Sequence, residues 1–517
     1  MASLTFEGGL NEQDVSLVNL AECISGYNFE LGTRNTHFNP RKPFDLLGTA
    51  TNAGAINGFV QLIKNDNTST TLVQANDTVY EWDGTTTFTS RGTVSGSSRL
   101  RGVTWSLGGY SVIVDVTKNT VVKKWDGASL TTLTTGLASP LYAKYGLVHL
   151  NRVWLFNVTS GTATPHLCVA SAFEDPESYS IANRSEGGGV TANLAFYMLT
   201  PDLKPINGVS LFFNTLIVST EGGNMWSLAG TDATNFRWEP WYPGSSAIGT
   251  ETMGNIGDDV VFMRKDGVIE SVRSTADFGD VKTDDLSLWI RTTSSGLTDC
   301  LTVYDQSRQK VYFFISSNKV LVLFKEMLSS ELSPWSVYKT NHASSFSTNA
   351  AIYMRRPGTT STGNYYVYWG DSSGRVFQME GASSADAGDA GSTSIDTVRK
   401  TRYIDDIEDL DTRLMQLRGR IEYRRISEVD LLMDFEWADD YAINRCAVPL
   451  SGPAAGDASN YWGGSAYWGG AYYWNQGFQL ALRTSTKGFS PVGRGPGFYL
   501  TTTVQSKQSF DVLKISV

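Results

Sequence analysis

The side chains that could carry out metal or hydrolytic chemistry are few in this chain and lie far apart. The histidines are His37, His149, His166 and His342, and no two of them have the His-x-x-x-His spacing that presents two imidazoles to one zinc ion. No Gly-x-x-x-x-Gly-Lys-Ser/Thr segment is present, so the chain lacks the phosphate-binding loop of P-loop enzymes. We therefore predict no catalytic residue, no metal site and no cofactor.

Two short motifs suggest hydrolases but fit turns better. Gly370-Asp371-Ser372-Ser373-Gly374 matches Gly-x-Ser-x-Gly, yet a nucleophile elbow needs a helix after its serine, and a strand pattern follows here. Sialidase-type repeats separate Asp from Gly by one residue, whereas Asp83-Gly84 and Asp126-Gly127 are adjacent pairs, which is typical of tight turns. We predict turns at all three places. Carboxylates are numerous, so a glycosidase with one well-spaced pair of them remains an alternative.

An acidic run, Asp405-Asp406-Ile407-Glu408-Asp409-Leu410-Asp411, has the composition of a calcium site. It lacks the glycine and the terminal glutamate of an EF-hand loop. We interpret it as a solvated or subunit-facing acidic strip whose carboxylates could form ion pairs with the arginines that follow it. The candidate subunit-contact residues are Phe6, Phe44, Asp405, Asp406, Arg418 and Arg420.

An aromatic-rich segment, residues 451–474, contains two Tyr-Trp-Gly-Gly copies and a final Tyr-Tyr-Trp. A sheet core does not need this pattern, because Gly-Gly weakens strands. The segment either folds back on its own sheet as a long loop or presents its rings to a partner, sugars included, since clustered Trp and Tyr are frequent binding anchors. The candidate docking residues are Tyr461, Trp462, Tyr467, Trp468, Tyr472, Tyr473 and Trp474.

Composition argues against several classes of protein. A formal net charge of −10 disfavours a protein that grips phosphates with a basic patch, although an acidic wall suits nucleic acid that slides past it. No stretch approaches the ~18 apolar residues of a membrane span. The four cysteines, at positions 23, 168, 300 and 446, are far apart, which favours buried, reduced thiols over disulfides or zinc.

The elements that must position any site are β-strands. Between Phe59 and Met379, hairpin units of strand-forming residues recur at a spacing of roughly 35–55 residues. Two of them nearly superimpose, Val79–Gly84 on Val121–Gly127, and a third, Leu301–Tyr338, contains two apolar strands joined by a short polar turn. Repeats of this size are typical of propeller blades. We predict an all-β chain with a six- or seven-bladed β-propeller.

The domain organisation follows from composition along the chain. We expect an extended N-terminal arm at 1–51, the β-propeller at 52–381, and a flexible linker at 382–394, which is rich in Ala, Ser, Gly and Asp. Residues 395–517 should form a C-terminal antiparallel β-sandwich-like domain that carries the aromatic loop 451–474. Apolar and charged residues alternate over Leu414–Arg424, which predicts one half-buried strand there.

Three segments resemble the tail nozzle family of short-tailed bacteriophages, the podoviruses, whose members include tail-tube and packaged-DNA stabilisation proteins. The first is the leader Phe6–Asn11 together with Pro40–Phe44. The second is the unit Tyr304–Tyr338, which is similar to the propeller blades of that family. The third is the tail Gly493–Ile515, which resembles the family's final sheet.

The resemblance implies a structural virion protein rather than an enzyme. Such a protein forms a homohexamer below the portal and the head-to-tail adaptor, retains packaged double-stranded DNA, and conducts it at ejection without sequence-specific binding. Its other expected partners are a tail fibre or spike and a tail needle or gate protein, and its expected location is the virion tail after assembly in the host cytoplasm. A phage receptor-binding or carbohydrate-active β-propeller is the alternative.

Overall fold

The chain folds into β-sheets, which confirms the predicted all-β class. The computed structural model describes residues 3–4, 7–13, 18–19, 21–31, 39–52, 54–137, 139–179, 194–249, 251–274, 281–295, 297, 300–315, 319–339, 349–358, 364–381, 386–388, 391–393, 395–401, 414–416, 419–425, 429–437, 444–450, 485–489, 492–494, 498–506 and 510–516. Helix in these ranges is limited to the short turns Leu286–Ile290, Arg291–Ser294 and Lys325–Met327. No helix in them has the length and hydropathy needed to cross a membrane.

The strands fall into three groups along the chain. The first group is β1 (Ser3–Leu4), β2 (Ser25–Tyr27), β3 (Phe29–Glu30), β4 (Asn39–Pro40) and β5 (Asp45–Thr49). The second is β6 (Ile56–Ile63), β7 (Ser69–Ala75), β8 (Thr78–Trp82), β9 (Phe88–Thr93), β10 (Leu100–Trp105), β11 (Tyr110–Asp115), β12 (Lys123–Trp125), β13 (Leu130–Thr132), β14 (Leu141–His149), β15 (Arg152–Ser160), β16 (Thr162–Ala170), β17 (Phe196–Leu199), β18 (Ile206–Phe212), β19 (Thr215–Thr220), β20 (Asn224–Ala229), β21 (Arg237–Pro243), β22 (Met253–Asn255), β23 (Val260–Met263), β24 (Ile269–Ser274), β25 (Val281–Asp285), β26 (Cys300–Asp305), β27 (Lys310–Ile315), β28 (Lys319–Phe324), β29 (Trp335–Lys339), β30 (Ala351–Arg355), β31 (Tyr365–Gly370) and β32 (Arg375–Gln378). The third is β33 (Asp386–Gly388), β34 (Gly391–Thr393), β35 (Ile395–Lys400), β36 (Leu414–Gln416), β37 (Gly419–Arg425), β38 (Val429–Trp437), β39 (Asn444–Leu450), β40 (Ser485–Phe489), β41 (Val492–Arg494), β42 (Phe498–Ser506) and β43 (Phe510–Ser516).

The second group builds successive antiparallel units of four strands, which we call repeat sheets. Repeat sheets 1 to 6 begin with β6, β10, β14, β18, β22 and β26, and each takes the next three strands in order. Repeat sheet 7 contains β30, β31, β32 and β5. Repeat sheets 1 and 2 are joined into one eight-stranded sheet by a parallel pairing of β6 with β10 at Phe59 and Arg101.

The first strands of the repeat sheets contact one another in order. Each touches the first strand of the next sheet, and β30 of repeat sheet 7 touches β6 of repeat sheet 1. The first strands therefore form a closed circle, and apolar clusters pack between neighbouring sheets around it. Trp82 and Trp125 occupy the third strands of repeat sheets 1 and 2, as their repeated sequence context predicts.

Repeat sheet 6 has two almost completely buried strands and matches its sequence pattern. Every residue of β27 is buried, as is nearly all of β28, because these strands have neighbours on both faces and read as continuous apolar runs. Fully burying one such side chain stabilises the fold by about 1.5–3 kcal/mol. The predicted hairpin and the final strand at Trp335 are confirmed within a residue at each end.

The N-terminal arm is more integrated than the predicted extended leader. β5 is hydrogen-bonded along β32 and forms the outer strand of repeat sheet 7, so residues 45–49 belong to the repeat array. β1 pairs with β43 and β2 pairs with β35, which joins the arm to the C-terminal sheets. The physical reason is that β30 to β32 leave one open edge, and β5 covers it.

The C-terminal strands form two main antiparallel sheets, ordered β1-β43-β37-β40 and β2-β35-β42-β38-β39. The single strand predicted over Leu414–Arg424 was wrong: β36 pairs with β41, whereas β37 pairs with β43 and β40. The predicted linker also differs, because β33 and β34 pair within it and the side chain of Asp386 is buried. The low apolar content of this segment predicted a flexible linker, because it gives no sign that the segment is held by an ion pair between Asp386 and Arg41.

Candidate functional site

A buried ionic cluster lies where the arm meets repeat sheets 6 and 7. We call Glu30, Arg308, Lys310, Tyr312, Tyr338 and Glu380 the arm cluster. Lys310 Nζ lies 2.5 Å from Glu30 Oε2 and also contacts Glu380 Oε1. Arg308 Nε lies 2.7 Å from Glu380 Oε2. The hydroxyls of Tyr312 and Tyr338 donate to Glu380 at 2.7 Å and to Glu30 at 2.6 Å.

The local fold places these groups with little freedom. Lys310 begins β27, and Arg308 lies in the turn before it, where the carboxylate of Asp305 accepts from the backbone of Ser307 and Arg308. Glu380 follows β32 with φ of 52°, a left-handed conformation that is uncommon for a residue with a Cβ. The multiple contacts of its carboxylate compensate for that conformation.

The electrostatics favour the charged forms of this cluster. Burial alone would raise the pKa of Glu380, but the cations of Lys310 and Arg308 and the hydrogen bonds from Lys310 and Tyr312 lower it below its ordinary value. Burial opposes the charge of Lys310, yet Glu30 and Glu380 outweigh burial and raise its pKa. Burial and the nearby carboxylates raise the pKa of both tyrosines, so they stay neutral donors.

A second buried ion pair joins the arm to β33. Arg41 Nη1 lies 2.8 Å from Asp386 Oδ1, and Arg41 Nη2 lies 2.5 Å from Asp386 Oδ2; the two side chains are 0% and 3% exposed. Arg41 also donates to Asn28 Oδ1 at 2.9 Å and to the carbonyl of Lys339 at 2.9 Å. This planar guanidinium therefore connects the arm, repeat sheet 6 and the chain beyond repeat sheet 7.

A third contact joins the arm to the C-terminal sheets. Arg399 of β35 is buried and donates to the carbonyls of Gly8, at 2.8 Å, and of Ala21. On the other side of the arm, Glu22 accepts from the backbone of Ser333 at 2.6 Å. Gly9 has no room for a side chain, because a Cβ there would collide with the carbonyl oxygen of Trp335. The arm is thus packed between repeat sheet 6 and the C-terminal sheets.

The centre of the circle of first strands is crossed by a polar network. Arg101 of β10 forms a two-point ion pair with Glu251, which immediately precedes repeat sheet 5, with Nη2 2.7 Å from Oε2. The guanidinium also donates to the carbonyls of Asn57 at 3.0 Å and Asn349 at 2.9 Å. Arg101 of repeat sheet 2 thus contacts repeat sheet 1 and the residues that lead into repeat sheets 5 and 7, so one side chain bridges the circle.

A cavity of about 440 Å³ adjoins this network between repeat sheets 5, 6 and 7. It is lined by the first strands of those sheets and by the turns that follow β22 and β26; the residues are Asn255, Gly257, Thr302, Val303, Tyr304, Gln306, Ala351, Ile352 and Tyr353. Among the described residues, the lining contains no acidic or basic side chain. In the described ranges, no group of three His, Cys, Asp or Glu side chains could hold a metal ion.

The motifs that resembled hydrolase signatures are turns, as predicted. Ser372 lies between β31 and β32, where Asp371 accepts from the backbone of Ser373 at 2.9 Å and of Arg375 at 3.0 Å. Gly84 and Gly127 have φ of 88° and 93°, the left-handed region that favours glycine in a turn. None of these residues belongs to the arm cluster or to the central network.

Most predicted site residues lie outside the described ranges: Phe6, Asp405, Asp406 and Arg418 of the subunit-contact set, and all of the docking set from Tyr461 to Trp474. Arg420 lies in β37, paired with Ser516. Phe44 is 2% exposed, edge-to-face with Trp369 at 5.9 Å, and has the Arg41 guanidinium 3.9 Å from its ring centroid. Its ring therefore belongs to the core of the single chain, not to an exposed surface as the predicted subunit contact would require.

Sequence reasoning missed the residues of the arm cluster and of the Arg41–Asp386 ion pair. The signal that could have flagged Lys310 is its place directly before the apolar run Val311–Ile315, where a charge must find partners. Arg41 lies between Pro40 and Pro43, and this position gives a weaker indication that its charge is buried and paired. Cys23, Cys168 and Cys300 are buried, as predicted, and none of these three thiols forms a disulfide. Burial raises the pKa of Cys23 to about 11.

No protein-family model matches this chain, and no curated protein matches it in sequence.

Proposed function

We propose that the repeat sheets are the blades of a seven-bladed β-propeller and that the C-terminal sheets form a β-sandwich-like domain. The closed order of contacts among the first strands supports the propeller, as does the completion of repeat sheet 7 by β5. Joining the start of the array to its end protects the open edges that a linear row of sheets would leave.

We further propose that the protein is a non-enzymatic structural subunit of a hexameric tail nozzle in a short-tailed phage. The observation that carries this proposal is the arm, which is tied by buried charges to repeat sheets 6 and 7 and to the C-terminal sheet at once. Buried ion pairs with satisfied partners resist separation, because breaking one strands a charge in the interior. A wall that holds packaged DNA needs such stiffness.

The central network indicates where DNA would pass. Arg101 and Glu251 bridge the circle of first strands with a single side-chain pair, a span far too narrow for duplex DNA. In the proposed assembly, DNA therefore runs through the space enclosed by neighbouring subunits. The formal charge of −10 on each copy would repel phosphates along that wall and favour passage over binding.

The same network disfavours the glycosidase alternative at the centre of the circle. A glycosidase needs two carboxylates at a set separation, one of them protonated. Both carboxylate oxygens of Glu251 are occupied by a two-point ion pair with Arg101. The described residues that line the adjoining cavity include no carboxylate, so they offer no acid–base pair for this reaction.

Electron microscopy of the purified full chain, alone and mixed with its portal–adaptor complex, tests the proposal. We expect rings of six-fold symmetry that dock end-on to the adaptor around a continuous channel. Monomers or trimers that do not bind the adaptor would refute the nozzle proposal. Deleting residues 1–51 is not a clean test of ring contacts, because the deletion also removes β5 and Glu30 from the fold of the protomer.

A further inference from the structure

We propose that the cavity between repeat sheets 5, 6 and 7 is a binding site for a neutral saccharide. This role goes beyond nozzle assembly and does not depend on it. The volume of about 440 Å³ falls within the range of roughly 300–1,000 Å³ that is typical of small-ligand sites. Its position at the inner edge of three sheets gives it rigid walls.

The cavity lies between the central network and the surface. On the side of the network, the backbone N–H of Thr302 donates to the carbonyl of Glu251 at 3.0 Å, and Asn349, two residues before Ala351, accepts from Arg101. On the other side, Asn255, the last residue of β22, and Gln306, in the turn after β26, are exposed. A ligand would enter between these two amides and stop below the central network.

The charge distribution selects a neutral ligand. Among the described lining residues there is no acid or base. The ammonium of Lys325 lies 5.4 Å from the ring centroid of Tyr304, but it is already engaged with Asp258 at 2.5 Å and with the carbonyl of Ile256 at 2.8 Å. An ionic ligand would lose hydration on entry and meet only a cation that is already paired. A neutral ligand pays only the smaller cost of desolvating hydroxyl or amide groups, which the lining can replace.

The types of side chain in the lining select a sugar among neutral ligands. Tyr304 and Tyr353 offer aromatic rings for the C–H faces of a pyranose, and the exposed amide of Gln306 offers a donor and an acceptor for its hydroxyls. Thr302 Oγ1 already donates to the carbonyl of Thr252 at 3.2 Å and Asn255 Oδ1 already accepts from the backbone N–H of Gly257 at 2.6 Å, so these two side chains can offer a sugar only their remaining acceptor capacity. The rings are held in place: the Tyr304 hydroxyl donates to Gln309 at 2.9 Å, and Tyr353 stacks on Tyr365 at 5.5 Å. Such fixed rings bind without ordering cost.

Ligand-observed saturation-transfer NMR on the full chain tests this site. The probes are maltose, cellobiose, lactose and N,N′-diacetylchitobiose, with glucose 6-phosphate as the charged comparison. We expect signal from at least one neutral disaccharide and none from the phosphate. Tyr304→Leu and Tyr353→Leu should each weaken binding about three- to tenfold, the loss expected for one aromatic contact. Tyr304→Phe keeps the ring and loses only its hydrogen bond to Gln309, so it should lose less affinity than Tyr304→Leu.

Tyr142→Leu is the matched control, because Tyr142 lies on β14, the first strand of repeat sheet 3, outside the cavity lining. A thermal melt of each variant separates loss of binding from loss of folding. The proposal is overturned if no neutral disaccharide binds, if the phosphate binds equally well, or if both leucine variants bind like the parent. These outcomes are independent of ring formation, so failure here leaves the nozzle proposal standing.

Discussion

Lys310→Met is the sharpest test of the arm cluster. The substitution keeps most of the side-chain volume but removes the ammonium that lies between Glu30 and Glu380. Both carboxylates then keep their other partners, Tyr338 and the Arg308–Tyr312 pair. They lose the one cation that they share, in a site where the Glu380 side chain is only 3% exposed.

The expected loss follows from the burial of the pair. Removing one partner of a buried ion pair costs about 3–5 kcal/mol, because the remaining charge stays desolvated. For a cooperative unit of roughly 330 residues, the unfolding entropy typical of globular proteins converts each kcal/mol into about 1.4 °C. We therefore expect the melting temperature of the repeat array to fall by about 4–7 °C.

Differential scanning calorimetry of the full chain measures this shift, with Lys325→Met as the control. Lys325, in the turn that follows β28, pairs with Asp258, which is 69% exposed, and also donates to the carbonyl of Ile256 at 2.8 Å. Exposed pairs contribute about 0–1 kcal/mol, so the control should shift the transition by at most ~1.5 °C. If Lys310→Met melted within that margin, or no lower than the control, the stabilising role of the arm cluster would be refuted.

Three further predictions concern the same junction. Folding lowers the pKa of Glu380, so the carboxylate stabilises the fold above its ordinary pKa near 4.5 and this stabilisation is lost as the pH falls through the folded value. Glu380→Gln should therefore reduce the fall in melting temperature that the parent chain shows below pH 4.5. An unchanged dependence of melting temperature on pH would contradict this. Arg41→Leu should destabilise by about 3–5 kcal/mol and speed amide exchange in β5, measured by mass spectrometry, whereas slow exchange would refute the anchoring role. Gly9→Ala should lower the free energy of unfolding by about 1–3 kcal/mol through overpacking and speed amide exchange at residues 7–13. A melting temperature identical to that of the parent chain would refute the close packing of Gly9 against Trp335.

Local pattern predicted much of the fold because strand formation and turn formation are local. Continuous apolar runs located β27 and β28, and the Asp-Gly pairs located turns that close hairpins. The alternation of apolar and charged residues over Leu414–Arg424 led to the wrong prediction of one strand. Such alternation indicates which face of a strand is apolar but not which sheet the strand joins. Residues 414–416 and 419–425 pair with different partners.

The candidate sites were less predictable because their residues are far apart in sequence. Arg101 and Glu251 are separated by 150 positions, and Arg41 and Asp386 by 345. Nothing local marks such partners in a single sequence. Asp386 is the clearest case, since its neighbours Ala385, Ala387 and Gly388 suggest a segment with nothing to bury, yet its carboxylate is buried against Arg41.

The sequence by itself determined the all-β class, the repeat period, the turns and the absence of a histidine-pair motif, since each depends on residues within a few positions of one another. Only the tertiary structure decided that β5 completes repeat sheet 7, that the arm is held by buried charges, and that Arg101 spans the centre of the circle. These outcomes depend on which distant groups can reach and neutralise one another, which is a property of the packed chain and not of any segment.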